Sequence, residues 1–141
     1  MAFVFYPAFT KHMGALAAAV TLAGCASMAI TPEAMVKARA TQQWQARIAG
    51  DFDASYKLTT PSFRGGTTLE SYKKGFGGAV QIKSAGVATV TCENADKCIV
   101  NAKVEATPTL MLGRRALPTF TTYIDETWLR EDGQWWLFPT P

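Results

Sequence analysis

Between Gly75 and Ala79 the hydrophobic period of the chain changes, and this change limits the folds open to it. Upstream, Val36, Ala40, Trp44 and Ile48 recur every four residues, the spacing of one helix face. Downstream, apolar and polar side chains alternate at a period of two, the spacing of a strand covered on one side. A chain that is helical first and stranded second does not build parallel β-α-β units. It packs a helical layer against an antiparallel sheet, which is an α+β architecture.

The helical part carries its own boundary signals. Thr31-Pro32-Glu33 supplies an N-cap, a proline at the first helical position and an acid in the first turn, so a helix is expected to run to about Ala49 and stop at Gly50. Asp51 caps a second helix through Phe52 to Leu58, ended by Thr59-Thr60-Pro61. Thr67 or Thr68 caps a third over Leu69 to Lys74, ended by Gly75, Gly77 and Gly78. Four strands follow: Val80 to Glu93 with an interruption at Ser84-Ala85-Gly86, Cys98 to Ala106, Leu117 to Arg130, and Gln134 to Phe138. Asp132-Gly133 is a tight hairpin signal, and Pro108 to Pro118 is a longer connection placed to close over a cavity. The expected domain has N-terminal helices packed on a curved four-stranded antiparallel sheet.

Ahead of this domain, Leu22-Ala23-Gly24-Cys25 closes an apolar run from Met13 to Gly24 that follows Lys11, the one residue charged at neutral pH in the first 32. The run has the length of a secretory signal core, and small residues before the cysteine suit an extended peptidase substrate. Residues 1–24 are therefore read as a lipoprotein signal peptide, Cys25 as the lipidated residue, 25–30 as a tether and 31–141 as one domain. Two other readings are an ordinary signal peptide cut after Ala26 or Ala29, and an anchor from Met13 to Pro32. The anchor is diluted by alanine, Gly14, Thr21, Gly24 and Ser27, whereas a spanning helix needs about 20 mostly apolar residues. The expected location is the bacterial cell envelope, membrane-bound through lipid and facing the periplasm. With no acid at Ala26 or Ser27, sorting leans to the outer membrane.

Three cysteines in an exported chain leave one odd thiol, and lipid on Cys25 reduces the remainder to a pair. Cys92 and Cys98 bracket a polar turn between two predicted strands, so they should face each other across a hairpin at disulfide distance. Their C-x5-C spacing is neither a redox C-x-x-C nor part of a zinc set. Without Lys11, 13 basic side chains face 11 acidic ones with no run of like charge, which lacks the footprint of a nucleic-acid binder. The pairs Arg114-Arg115 and Lys73-Lys74 read as a solvated turn and a helix surface.

The string from Trp44 to Tyr56, the segment Pro61-Ser62-Phe63-Arg64, and the ending from Glu126 to Leu137 resemble the nuclear transport factor 2-like superfamily. That resemblance implies a cone-shaped domain with a long first helix, here in a Gram-negative bacterial lipoprotein. Its members include isomerases, dehydratases, cyclases, pocket binders and parts of secretion machines, so function must come from the site. Catalytic members imply an inward pair of Asp, Tyr or His.

His12, the sole histidine, lies in the leader, which removes His-based acid–base work and His-ligated metals from the mature domain. Tyr56, Tyr72, Tyr123, Glu105, Asp125 and Glu126 remain, while Asp51 and Asp53 read as helix-start acids. Asp125 and Glu126 are neighbours on a strand and face opposite sides. The face bearing Phe120, Thr122, Ile124, Glu126, Trp128 and Arg130 has the larger apolar content and is expected to be covered. Glu126 is then half-buried and paired with Arg47 or Arg64. The pocket residues so read are Trp44, Tyr56, Tyr72, Tyr123, Glu126 and Trp128, with no catalytic set, metal or cofactor. The expected activity is binding of a small apolar ligand or an envelope protein. An isomerase- or dehydratase-like enzyme with Glu126 or Asp125 as base and a tyrosine as oxyanion donor is the alternative, and a scaffold with an exposed apolar patch is a third class.

Overall fold

The computed structural model of the chain describes residues 30–140 apart from 77, 113 and 114, and only the backbone of 111 and 112. The leader, Cys25 and His12 lie outside the described residues. The fold is α+β: helices α1 (Pro32–Ala49), α2 (Phe52–Lys57), α3 (Pro61–Gly66) and α4 (Leu69–Lys74) precede strands β1 (Val80–Asn94), β2 (Lys97–Pro108), β3 (Met111–Leu112), β4 (Arg115–Ala116), β5 (Phe120–Glu131) and β6 (Gln134–Phe138). The main sheet is antiparallel in the order β1-β2-β5-β6, and β3 pairs only with β4.

Local chemistry sets the helix ends. Thr31 caps α1 by accepting from the Ala34 N–H, and Gly50 closes it with a left-handed φ of 72°, a conformation that glycine adopts without strain. Asp51 then caps α2 by accepting from the Ala54 N–H. Thr68, rather than Thr67, caps α4.

Three helices were expected and four are present. Thr60-Pro61 does not merely end α2; it repeats the cap-plus-proline signal of Thr31-Pro32 and starts α3, with the Thr60 hydroxyl accepting from the Phe63 N–H. The α1 stripe also differs at its end: Ile48 is 40% exposed, whereas Gln43 is fully buried. The last turn of α1 runs past the sheet, and the buried face turns toward α2 and α4.

In the sheet, β1 is continuous where an interruption was expected. Register shifts at Ile82/Ser84 and Val87/Thr89 absorb the irregularity as bulges, which bend a strand without breaking it. The last long strand begins at Phe120 rather than Leu117, and the β5–β6 hairpin turns on Asp132 and Gly133, both at positive φ as a type I′ turn needs. Cys92 and Cys98 are register partners with sulfurs 2.02 Å apart.

Alternation in β2 and β5 points Cys98, Val100, Trp128 and the β6 residues Trp135 and Leu137 at α1, where they bury Val36 and Ala40 in the main core. A smaller cluster of Trp44, Ala102 and Val104 continues it toward the other end of α1. The covered face of β5 extends only part of its length. Glu126 and Trp128 are buried, but Phe120 and Ile124 on the same face are 42% and 38% exposed, because the helical layer stops short of them. The β6 edge is closed by backbone: Thr60 N–H donates to the Leu137 carbonyl and Leu137 N–H to the Leu58 carbonyl.

Candidate functional site

Where the helical layer ends, a cleft of about 610 Å³ opens between the last turns of α1, helices α3 and α4, and strands β5 and β6. Its walls are largely apolar, with Phe63, Phe76, Ile124, Leu137 and Phe138, and its polar lining holds the Arg47–Glu126 pair together with Thr67, Ser71, Asp125 and Thr140. None of the described side chains between Pro108 and Pro118 lines it, although that connection is expected from the sequence to close over a cavity.

Glu126 is the most constrained group in the cleft. Its side chain is 5% exposed; one carboxylate oxygen accepts from Arg47 Nη1 at 3.1 Å and the other from the Trp44 indole N–H at 3.2 Å. Burial pushes its carboxyl above the usual range, while the Arg47 charge and the Trp44 hydrogen bond oppose that rise. Arg47 in turn lies over the Trp44 ring at 4.7 Å and the Phe76 ring at 5.0 Å, so its guanidinium is held between two aromatic faces. Of the two arginines considered as partners for Glu126, it is Arg47 that reaches it. Arg64 is drawn away, donating to the Lys57 and Thr59 carbonyls at the end of α2.

The aromatic wall is built by the short helices. Tyr72 stacks edge-on against Phe76 (4.8 Å) and Phe63 (6.1 Å), and Phe76 stacks on Phe52 at 5.3 Å. The Tyr72 hydroxyl sits in a buried knot, 2.6 Å from Ser55 Oγ and accepting from Gln43 Nε2 at 3.1 Å. The Tyr56 hydroxyl donates to the Thr67 carbonyl at 2.5 Å.

Among the residues singled out from sequence, Tyr72, Asp125 and Glu126 line the cleft, and Trp44 meets it only through its hydrogen bond to Glu126. Trp128 lies fully beneath it in the core, and Tyr56 pins the α3–α4 connection. Tyr123 is 60% exposed on the opposite sheet face, where its register partner is Lys103. Asp125 accepts from Asn101 Nδ2 at 2.7 Å, and Glu105 accepts from Ser84. Phe63 and Phe76 were not singled out, although Phe76 among Gly75, Gly77 and Gly78 is a bulky apolar residue in a helix-ending segment, which is a detectable signal. Among the described residues no tyrosine hydroxyl bonds to Glu126, whose carboxylate is held by Arg47 and Trp44. Among the described residues no cluster of three His, Cys, Asp or Glu side chains is placed to hold a metal ion.

No family model matches the chain, and none of the curated proteins does. Among solved structures it is similar to a SEC-C motif containing protein from Rhodopseudomonas palustris, with a TM-score of 0.54, 15% identity and coverage of 78% of this chain and 77% of that one. At that identity the likeness concerns the fold alone. It overturns the resemblance to the nuclear transport factor 2-like superfamily, since the matching fold is that of a SEC-C motif protein. The segments behind that resemblance do local work: Gly50-Asp51 joins a helix stop to a helix cap, and Asp132-Gly133 makes a hairpin turn. Such signals serve many folds and do not select one.

Proposed function

We propose that the domain is the working part of a lipid-anchored protein of the bacterial envelope, and that its cleft binds a small, largely apolar molecule without transforming it. The observation that carries this reading is the cleft itself. Its volume of about 610 Å³ falls in the range of small-molecule sites, and its largely apolar walls with a few polar groups match their usual make-up. The Arg47–Glu126 pair offers hydrogen bonds to one polar end of the ligand, and Phe63, Phe76 and Ile124 take its apolar body. A sheet that bends around α1 as a cone, helped by the bulges in β1, belongs to the same reading. The anchor rests on Leu22-Ala23-Gly24-Cys25 and on the pairing of the two remaining cysteines.

The test uses a Cys25→Ala chain exported and purified without detergent. Organic extracts of this protein are expected to contain a stoichiometric small apolar molecule by mass spectrometry, lost when Ile124→Trp fills the cleft. A cleft that is empty on purification, and takes up no decanoate on calorimetric titration, would sink the reading. In cell fractionation the same Cys25→Ala change is expected to move the protein out of the membrane fraction; unchanged membrane association would refute lipidation.

A further inference from the structure

Away from the cleft, two arginines from different helices converge on one tryptophan. Arg39 on α1 places its guanidinium 4.7 Å from the centre of the Trp136 ring on β6, and Arg64 on α3 places its own at 5.0 Å. Trp136 is fixed from behind, its indole N–H donating to the Glu131 carbonyl at 3.2 Å. All three residues are half-buried.

Neither guanidinium forms an ion pair among the described residues. Glu131, whose carbonyl holds the Trp136 indole, accepts from the Ser62 hydroxyl at 3.4 Å with one carboxylate oxygen. Arg64 is partly used, since it donates to the Lys57 and Thr59 carbonyls. Arg39 makes no hydrogen bond among the described residues, and its Nε is buried without a partner. Burial, and then the neighbouring Arg64 charge, push Arg39 below the usual guanidinium range. Contact with an aromatic face is worth little at a partly exposed site, and two like charges on one ring repel. The cluster thus holds a half-buried positive charge and several unused planar donors, which is the complement of a tetrahedral or carboxylate oxyanion.

We propose that Arg39, Arg64 and Trp136 form an oxyanion site that takes a phosphate group, with Arg39 as its main ligand. The phosphate can come from a free phosphate ester or from a lipid headgroup, and the chemistry at the site is the same.

The experiment follows the Trp136 indole and Arg39 Nε–H signals by NMR in the full chain, held in neutral detergent, during titration with inorganic phosphate against sodium chloride of equal ionic strength. A second arm measures co-sedimentation with phosphatidylglycerol vesicles against phosphatidylcholine ones. Saturable shifts confined to phosphate, weakened about tenfold by Arg39→Gln as expected for loss of a charge-assisted hydrogen bond, support a free-phosphate site. Vesicle binding lost in Arg39→Gln without saturable phosphate shifts assigns the headgroup. Non-saturating shifts equal to those in chloride, together with vesicle binding unaffected by Arg39→Gln, would overturn the proposal. Circular dichroism of Arg39→Gln, expected to match the parent, separates loss of a ligand from loss of fold.

Discussion

Two arginines of α1, Arg39 and Arg47, are eight residues apart, and each rests on a tryptophan ring at 4.7 Å. Both also bury an Nε that has no hydrogen-bond partner among the described residues, and they differ in what else they meet. Arg47 lies over the small core cluster at the cleft, 12% exposed, and meets the buried Glu126 carboxylate. Arg39 lies beside the β6 edge and meets a second arginine instead. Stacking on an aromatic face is therefore common to both and decides neither role. What separates them is the counter-charge: where it is built in, the arginine holds a fold together, and where it is missing, a positive site remains.

The comparison breaks most visibly if Arg47 is removed. Arg47→Ala leaves Glu126 buried without its cation, and the expected loss is about 3 kcal/mol in denaturant unfolding, limited by the ability of the carboxyl to protonate. The double change Arg47→Met with Glu126→Leu replaces both charges by apolar groups of similar reach and is expected to recover most of that loss. If the single variant unfolds at the parent's midpoint, the pair is ornamental and the contrast with Arg39 fails. A smaller effect comes from Trp44→Phe, which keeps a ring beneath Arg47 but deletes the indole donor to Glu126. Here the expected loss is about 1.5 kcal/mol, the range of a hydrogen bond to a charged group.

Both arginines stood in plain view in the sequence, yet only one of their settings was legible there. Alternation along Phe120 to Arg130 put Glu126 and Trp128 on one face, and a lone carboxylate on a covered face calls for a basic partner. Choosing Arg47 over Arg64 requires α3, whose start at Thr60-Pro61 reads in the sequence as the end of α2. That missing helix is what aims Arg64 at the Lys57 and Thr59 carbonyls and at Trp136. The cleft was hidden for a related reason. A period of four in α1 and of two in β5 describes each element's face, but not where one layer stops short of the other, and Ile48 and Ile124 are both uncovered at that point. Hairpin and cap signals at Asp132-Gly133 and Gly50-Asp51 were readable because they are local, and for the same reason they did not identify a family.

The pH dependence of the Glu126 pair sharpens the comparison at the cleft end. Its carboxyl titrates higher in the folded chain than in the unfolded one because burial outweighs the help of Arg47 and Trp44. In the interval between the unfolded and folded values, the native state binds more protons, so stability falls as pH rises through it and is flat above. Relative to Glu126→Gln, which cannot ionise, the parent is expected to lose stability across this interval by a fraction of the loss in Arg47→Ala. Unfolding midpoints of the two proteins measured at matched pH values check this. Parallel curves would mean that the carboxyl is no harder to ionise in the fold than in the free chain.

The smallest effect on stability is expected at Arg39, and its size is the sharpest statement of the difference. Arg39→Gln removes a guanidinium with no acidic partner, and with it a repulsion from Arg64 and an aromatic contact, two contributions of opposite sign. The unfolding free energy is expected to change by less than about 1 kcal/mol in either direction. The parent should also gain more stability than the variant when salt is added, because mobile anions screen the Arg39–Arg64 repulsion. Denaturant unfolding at low and high sodium chloride measures both. A large loss in Arg39→Gln that salt does not alter would place Arg39 with Arg47 as a structural cation, and the counter-charge would no longer distinguish them.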